Sequence, residues 1–246
     1  MDTDRVVVIT GAAGGIGTEI VDRFLANGDR VVATDLNQDT LGKWRESRPA
    51  DAALVTTAAD LSTPEGCAQL ADVAREWAGA VDVLVNCAGW FPFTPFEKMT
   101  LDEWRRVIDV NLTSVFLVTQ SLLPLMKDRG WGRIIYFGSA SVFVGVPGQS
   151  HYVAAKAGIL GLARSLAREL GDYGITVNIV APGVTLTEPV RKTFPEDLLK
   201  VQRAGRALHR DQVAEDLVGP AFYLASDDAG FVTGQILNVN GGIHFL

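Results

Sequence analysis

Short apolar runs rich in β-branched residues alternate along the chain with longer stretches in which apolar residues recur at helical spacing. The runs predict strands at Arg5–Thr10, Arg30–Thr34, Ala53–Ala58, Val81–Asn86, Gly132–Phe137, Thr176–Ala181 and Gln235–Val239. The stretches between them, Gly15–Ala26, Thr40–Arg48, Pro64–Trp77, Leu101–Lys127, Ser150–Leu170 and Asp211–Ala225, carry enough Ala, Leu, Arg and Glu to predict helices. Near-continuous apolar strands separated by helices predict a doubly wound, seven-stranded parallel sheet, a single-domain Rossmann-type α/β fold with helices on both faces. Ligands then bind beyond the carboxyl ends of the strands. The irregular segment 184–210, with Pro189 and Pro195, reads as a substrate loop or lid within a single domain spanning 1–246.

The first strand runs directly into Thr10-Gly11-Ala12-Ala13-Gly14-Gly15-Ile16-Gly17 and then into a helix. Gly11 permits a tight turn, Gly14 and Gly15 leave room for a pyrophosphate, and Gly17 allows the helix to approach the sheet. Free amides at the helix start then attract the phosphates. The second strand leads to Asp35, eighteen residues beyond Gly17, placed to accept hydrogen bonds from an adenosine ribose. Leu36 and Asn37 follow, with no adjacent Arg or Lys to neutralise a 2′-phosphate, so NAD is expected rather than NADP.

Ser139 closes the fifth predicted strand, and Tyr152 and Lys156 stand four residues apart on one helical face. A tyrosine titrating near ~10 is a poor base at neutral pH, and a neighbouring ammonium is expected to lower that value. A serine holding the substrate oxygen, while tyrosine exchanges a proton with it, is the proton half of a hydride transfer.

Together, Thr10-Gly11-(x)3-Gly15-x-Gly17, Asp60-Leu61, Asn86-x-Ala88-Gly89, Asn111, Ser139, Tyr152-(x)3-Lys156, Pro182-Gly183 and Thr187 make the chain resemble the short-chain dehydrogenase/reductase family over its full length. The resemblance implies that Tyr152 is the acid/base, that Lys156 depresses its pKa and binds the nicotinamide ribose, and that Ser139 orients the substrate oxygen. Asn111 then completes the tetrad through a water linked to Lys156. Thirteen residues separate Ser139 from Tyr152, as in the family, which leaves Ser141 as a supporting residue. Asp60 and Leu61 match the adenine contacts, Asn86 to Gly89 the strand end beneath the cofactor, and Pro182, Gly183, Thr185 and Thr187 the loop that holds the carboxamide. Cys87 departs from the family's usual Asn-Asn-Ala-Gly.

Trp90, Phe91 and Phe93 follow that motif, and with Phe143 and Val144 they suggest an apolar wall for an aryl or alkyl group. Residues 87–98 and 130–133 resemble family members that act on aromatic secondary alcohols such as 1-phenylethanol. The expected activity is therefore hydride transfer between NAD(H) and a secondary alcohol or ketone. A 3-oxoacyl thioester reductase is the alternative; such members usually prefer NADPH. A non-enzymatic NAD sensor is a third reading, weakened by the complete tetrad.

A net charge of −7 disfavours nucleic acid as a partner. No run of about 18 apolar residues without a charge or turn is apparent, so neither a membrane span nor an export signal is expected, and the expected location is cytoplasmic. Cys67 and Cys87 lack metal-ligand spacing, and His151, His209 and His244 form no cluster, so no metal is expected. His151 reads as structural. Apolar residues such as Val115, Phe116, Leu117, Leu160, Leu162 and Leu166 exceed what one sheet face covers, and the family resemblance implies a homotetramer.

Overall fold

The computed structural model describes residues 4–245. Its strands are β1 (Val6–Thr10), β2 (Arg30–Asp35), β3 (Leu54–Ala58), β4 (Val83–Asn86), β5 (Gly132–Phe137), β6 (Ile175–Pro182) and β7 (Ile236–Val239). They form one seven-stranded parallel sheet in the order β3-β2-β1-β4-β5-β6-β7. The helices are α1 (Gly15–Ala26), α2 (Gln38–Glu46), α3 (Pro64–Ala78), α4 (Leu101–Ile108), α5 (Ser114–Met126), α6 (Ser141–Val144), α7 (Ser150–Glu169), α8 (Glu188–Thr193), α9 (Glu196–Gly205) and α10 (Glu215–Leu224).

Side chains alternate across each strand, so every strand feeds two cores. Val6, Val8, Leu84, Ile134 and Tyr136 pack with α3, α5 and α7, whereas Val7, Ile9, Val85, Ile135 and Phe137 pack with α1 and α10. Burying both faces explains why these strands read as continuous apolar runs. Each fully buried aliphatic side chain contributes roughly 2 kcal/mol. The helix ends follow local chemistry: Thr63 Oγ1 accepts from Gly66 N at 3.1 Å, Pro64 starts α3, and Gly79 ends it at φ 75°.

Strand order reverses between β1 and β4, where Thr10 pairs with Asn86. That reversal opens a crevice at the carboxyl ends of the strands.

The helix expected over Leu101–Lys127 is interrupted. A π-turn, Asp109–Thr113, separates α4 from α5 and inserts one extra residue into the helical ladder, which re-aims Asn111 inward. The run Leu101–Met126 contains a stretch long and apolar enough to cross a membrane by composition, and here the run packs against α3 and α7. The segment 184–210 also departs from its expected irregularity. It holds α8 and α9, and Arg206 anchors it by donating to the carbonyls of Val184 and Arg210 at 2.7 and 2.8 Å. The last long helix starts at Glu215 rather than Asp211, because residues 211–214 first bridge to the β6 end through Thr185 and Gln212.

Candidate active site

The crevice contains a cavity of ≈ 450 Å³. Gly11, Gly14, Gly15, Ile16 and Gly17 line one side, and Asp35, Leu36, Asp60, Leu61, Ala88, Gly89 and Thr187 also reach it. Gly11 takes a positive φ of 65°, and a Cβ there would stand 2.9 Å from Ala88 Cα. A Cβ on Gly17 would collide with the Gly11 carbonyl oxygen, so the turn folds against the start of α1 only with glycine at that position. Thr10 Oγ1 accepts from the amides of Cys87 and Ala88, both at 3.1 Å, and ties the turn to the β4 end.

Asp35 is held at the rim: Oδ2 accepts from Ala13 N at 3.0 Å and Oδ1 from Leu36 N at 2.8 Å. Leu36, exposed over 64% of its surface, lies open beside it. Side-chain-free backbone, a helix start and a fixed carboxylate form a donor and acceptor set that fits a dinucleotide. Asn86 is buried at the β4 end with Nδ2 unpartnered, consistent with a strand end built to support a further group. Asn86, Tyr152, Lys156, Pro182, Gly183 and Thr185 lie outside the cavity wall itself. Gly183 N donates to Val239 O at 3.1 Å and Thr185 Oγ1 to Gly183 O at 3.3 Å, which fixes the loop after β6.

Ser139 follows β5, and its Oγ lies 2.8 Å from Ser141 Oγ. The surrounding loop is locked to β6 by Gly138 N to Val180 O at 2.8 Å and Ala140 N to Pro182 O at 2.9 Å. Tyr152 and Lys156 occupy the first two turns of α7, with Lys156 Nζ 5.7 Å from the Tyr152 ring centroid and donating to Phe137 O at 2.8 Å. Asn111 is fully buried and clamps the Trp90 backbone, donating Nδ2 to Trp90 O at 2.7 Å and accepting Trp90 N at 3.2 Å through Oδ1. A Cβ on Gly89 would stand 3.0 Å from Asn111 Oδ1 and 3.5 Å from Lys156 Nζ, so these groups converge on one point.

The electrostatics correct one expectation. Burial pushes Tyr152 up to about 12, with the Ser139 hydroxyl opposing and Cys87 adding to the rise, instead of Lys156 drawing it down. Burial also brings Lys156 down to about 8 and pushes Cys87 up to about 12. The Tyr152 phenol is thus held protonated near neutral pH. The arrangement can give a proton to an oxygen that is gaining negative charge, and two hydroxyls, Ser139 and Tyr152, are available to such an oxygen. Among the described residues no group of three His, Cys, Asp or Glu could hold a metal ion.

The aromatic wall divides. Trp90 and Phe91 line the cavity, and Phe91 meets Tyr152 edge-on with centroids 6.3 Å apart. Phe93 turns instead to Phe194, at 5.5 Å. Phe143 and Val144, on α6, do not line this cavity; Phe143 is half-buried and Val144 is 52% exposed. Sequence reasoning missed Arg106, Val110 and Ser114, which also line the cavity; Arg106 stacks on Trp90 at 5.0 Å. Their four-residue spacing around Asn111 was the available signal.

A family model described as enoyl-(acyl carrier protein) reductase matches residues 11–244. An acetoacetyl-CoA reductase of Cupriavidus necator is 37% identical over 98% of this chain and 99% of its own length. A 2,3-dihydroxy-2,3-dihydro-p-cumate dehydrogenase of Pseudomonas putida is 42% identical over 97% of this chain and 93% of its own. A Brucella melitensis crystal structure described as short-chain dehydrogenase/reductase SDR:glucose/ribitol dehydrogenase superposes with TM-score 0.94 at 31% identity, covering 99% of this chain and 98% of that one.

Proposed function

The chain belongs to the short-chain dehydrogenase/reductase family of oxidoreductases, and from that premise we propose that it moves a hydride between NAD(H) and the 3-carbon of a 3-oxoacyl or 3-hydroxyacyl thioester. The observation that carries the reading is the approach of Asn111 and Lys156 to Gly89, which lines the glycine-rich cavity, with Tyr152 beside Lys156 on α7 and the Ser139 hydroxyl against Tyr152. The turn from Gly11 to Gly17 would hold the pyrophosphate, Asp35 and Leu36 the adenosine ribose, and Asp60 with Leu61 the adenine. Pro182, Gly183, Thr185 and Thr187 would face the carboxamide, and Asn86, Ala88 and Gly89 would lie beneath the cofactor. The bound dinucleotide supplies or accepts the hydride.

The chain's own residues handle the proton. Ser139 holds the substrate oxygen and Tyr152 delivers its hydroxyl proton as that oxygen becomes an alkoxide, with Lys156 Nζ 5.7 Å from the ring of the phenolate left behind. Asn111 fixes the Trp90 backbone and thereby the wall on the far side of Gly89. Asp35 supports NAD over NADP, since its carboxylate repels a 2′-phosphate.

Acetoacetyl-CoA reductases recur among the relatives at 36–40% identity and put the thioester ahead of the aryl alcohol suggested by the aromatic run. A second reading, a ring-bearing secondary alcohol or diol, is favoured by the edge contact of Phe91 on Tyr152 and by the 42% identical dihydrodiol dehydrogenase. Nicotinamide absorbance separates them. Acetoacetyl-CoA and 1-phenylethanol are offered in turn with each dinucleotide, and faster turnover of acetoacetyl-CoA with NADH is expected. Turnover of 1-phenylethanol alone would replace the thioester with the second reading, and strict use of NADPH would overturn the role given to Asp35.

A further inference from the structure

Glu103 stands at the third position of α4 in the pattern Thr100-x-x-Glu103, where a carboxylate ordinarily reaches back to the amide of the capping residue. Half of that box is made, with Glu103 N donating to Thr100 Oγ1 at 3.1 Å. The carboxylate goes elsewhere. Its Oε1 accepts from the Thr94 hydroxyl at 2.5 Å and lies 3.2 Å from His151 Nε2. Thr94 belongs to the loop that carries Trp90, Phe91 and Phe93, and His151 immediately precedes Tyr152. A single oxygen therefore bridges two walls of the site.

His151 is fully buried, and its Nδ1 accepts the amide proton of Tyr152 at 2.8 Å. That amide is one of those a helix start leaves without an intrahelical partner, and Gln149 supplies no side-chain cap to α7. An accepting Nδ1 leaves the ring proton on Nε2, so His151 donates to Glu103 as a neutral ring. Two further bonds hold the loop: Thr94 N to Gly148 O at 2.8 Å, and Gln149 Nε2 to Phe91 O at 3.3 Å. Both join the loop to the segment entering α7.

We propose that Glu103 and His151 are positioning residues that set the distance between the aromatic loop 90–98 and the Tyr152 hydroxyl, and so determine how tightly the carbonyl substrate is gripped. The inference rests on the reading of Tyr152 as the proton donor at the substrate end. Neither residue lines the dinucleotide cavity. A pair that merely stabilised the fold would lower apparent kcat through the folded fraction and leave both KM values unchanged; a pair that sets this spacing raises the substrate KM.

The test is a KM-against-kcat comparison with amide hydrogen exchange on the dinucleotide-bound protein. Glu103→Ala and Thr94→Val are each expected to raise KM for the carbonyl substrate about ten-fold, leaving kcat and the dinucleotide KM within about two-fold. Glu103→Gln, whose amide oxygen can still accept from both partners, is expected to restore the wild-type value. In Glu103→Ala the amides of Thr94 and Tyr152 should exchange faster, and in Glu103→Gln they should recover. An unchanged substrate KM, with or without a fall in apparent kcat, or failure of Gln to rescue would overturn the proposal. If wild-type protein turned over no carbonyl at all, the functional reading would fall, while faster exchange at Thr94 and Tyr152 in Glu103→Ala would still support the link and unaltered exchange would refute it.

Discussion

Lys156 brings an ammonium into an enclosed site where its hydrogen bond goes to a neutral carbonyl, Phe137 O. Burial lowers its pKa from 10.5 to about 8, so the folded state sheds this proton before the unfolded chain does. Between those two values the unfolded state binds more protons, and stability rises with pH; below about 8 the full cost of the buried charge is present. Replacing Lys156 with Met should therefore stabilise the dinucleotide-free protein at neutral pH by about 2 kcal/mol, after the lost hydrogen bond is set against the relieved burial. Denaturant titrations across that pH range should show the advantage shrinking toward the alkaline end. A variant less stable than wild type at neutral pH would contradict this, and in either case turnover should be lost. Tyr152→Phe removes only the oxygen that carries the proton. It should lower turnover by about 10²–10⁴ while dinucleotide affinity, followed by calorimetry, stays within a few-fold.

At the scale of elements, much was legible because β1, β2, β4, β5 and β6 are buried on both sides and the crossover helices other than the interrupted α4–α5 run keep their period. β1 and its turn announce themselves through Val6–Thr10 followed by glycines, and the Tyr152 and Lys156 pair needs only the pitch of α7. The π-turn Asp109–Thr113 was not legible, since no residue type there forbids an ordinary helix and the extra residue is selected by Asn111 reaching the Trp90 backbone. The same holds for Glu103: its capping pattern is local, whereas its partners Thr94 and His151 are set by how α4 packs on α7. The rise in the Tyr152 pKa escaped for a related reason, because enclosure depends on Phe91 and neighbouring walls that sequence does not bring together. The glycine turn gives a sharp prediction. Gly17→Ala places a methyl against the Gly11 carbonyl, and dinucleotide binding measured by calorimetry should weaken at least ten-fold, about 1.4 kcal/mol or more. Unchanged affinity would mean that the turn does not hold the pyrophosphate.

For the whole molecule, one continuous parallel sheet places the glycine turn after β1, Ser139 after β5 and the loop after β6 at the carboxyl ends of the strands. Phe116 is exposed over 46% of its surface, and Leu117, Leu160, Leu162 and Leu166 are only partly covered by the chain's own core. We propose that α5 and α7 meet their counterparts in other subunits and that four chains assemble; sedimentation should return the mass of four chains, and the mass of one chain would refute it. The account's central claim is that hydride and proton reach one carbonyl at these strand ends. It is tested most directly by supplying NADH that carries deuterium at both hydrogens of the nicotinamide C4 with acetoacetyl-CoA and locating the label by mass spectrometry. Deuterium on the 3-carbon of the hydroxyacyl product is the predicted result, and a product that forms without the label would contradict the account.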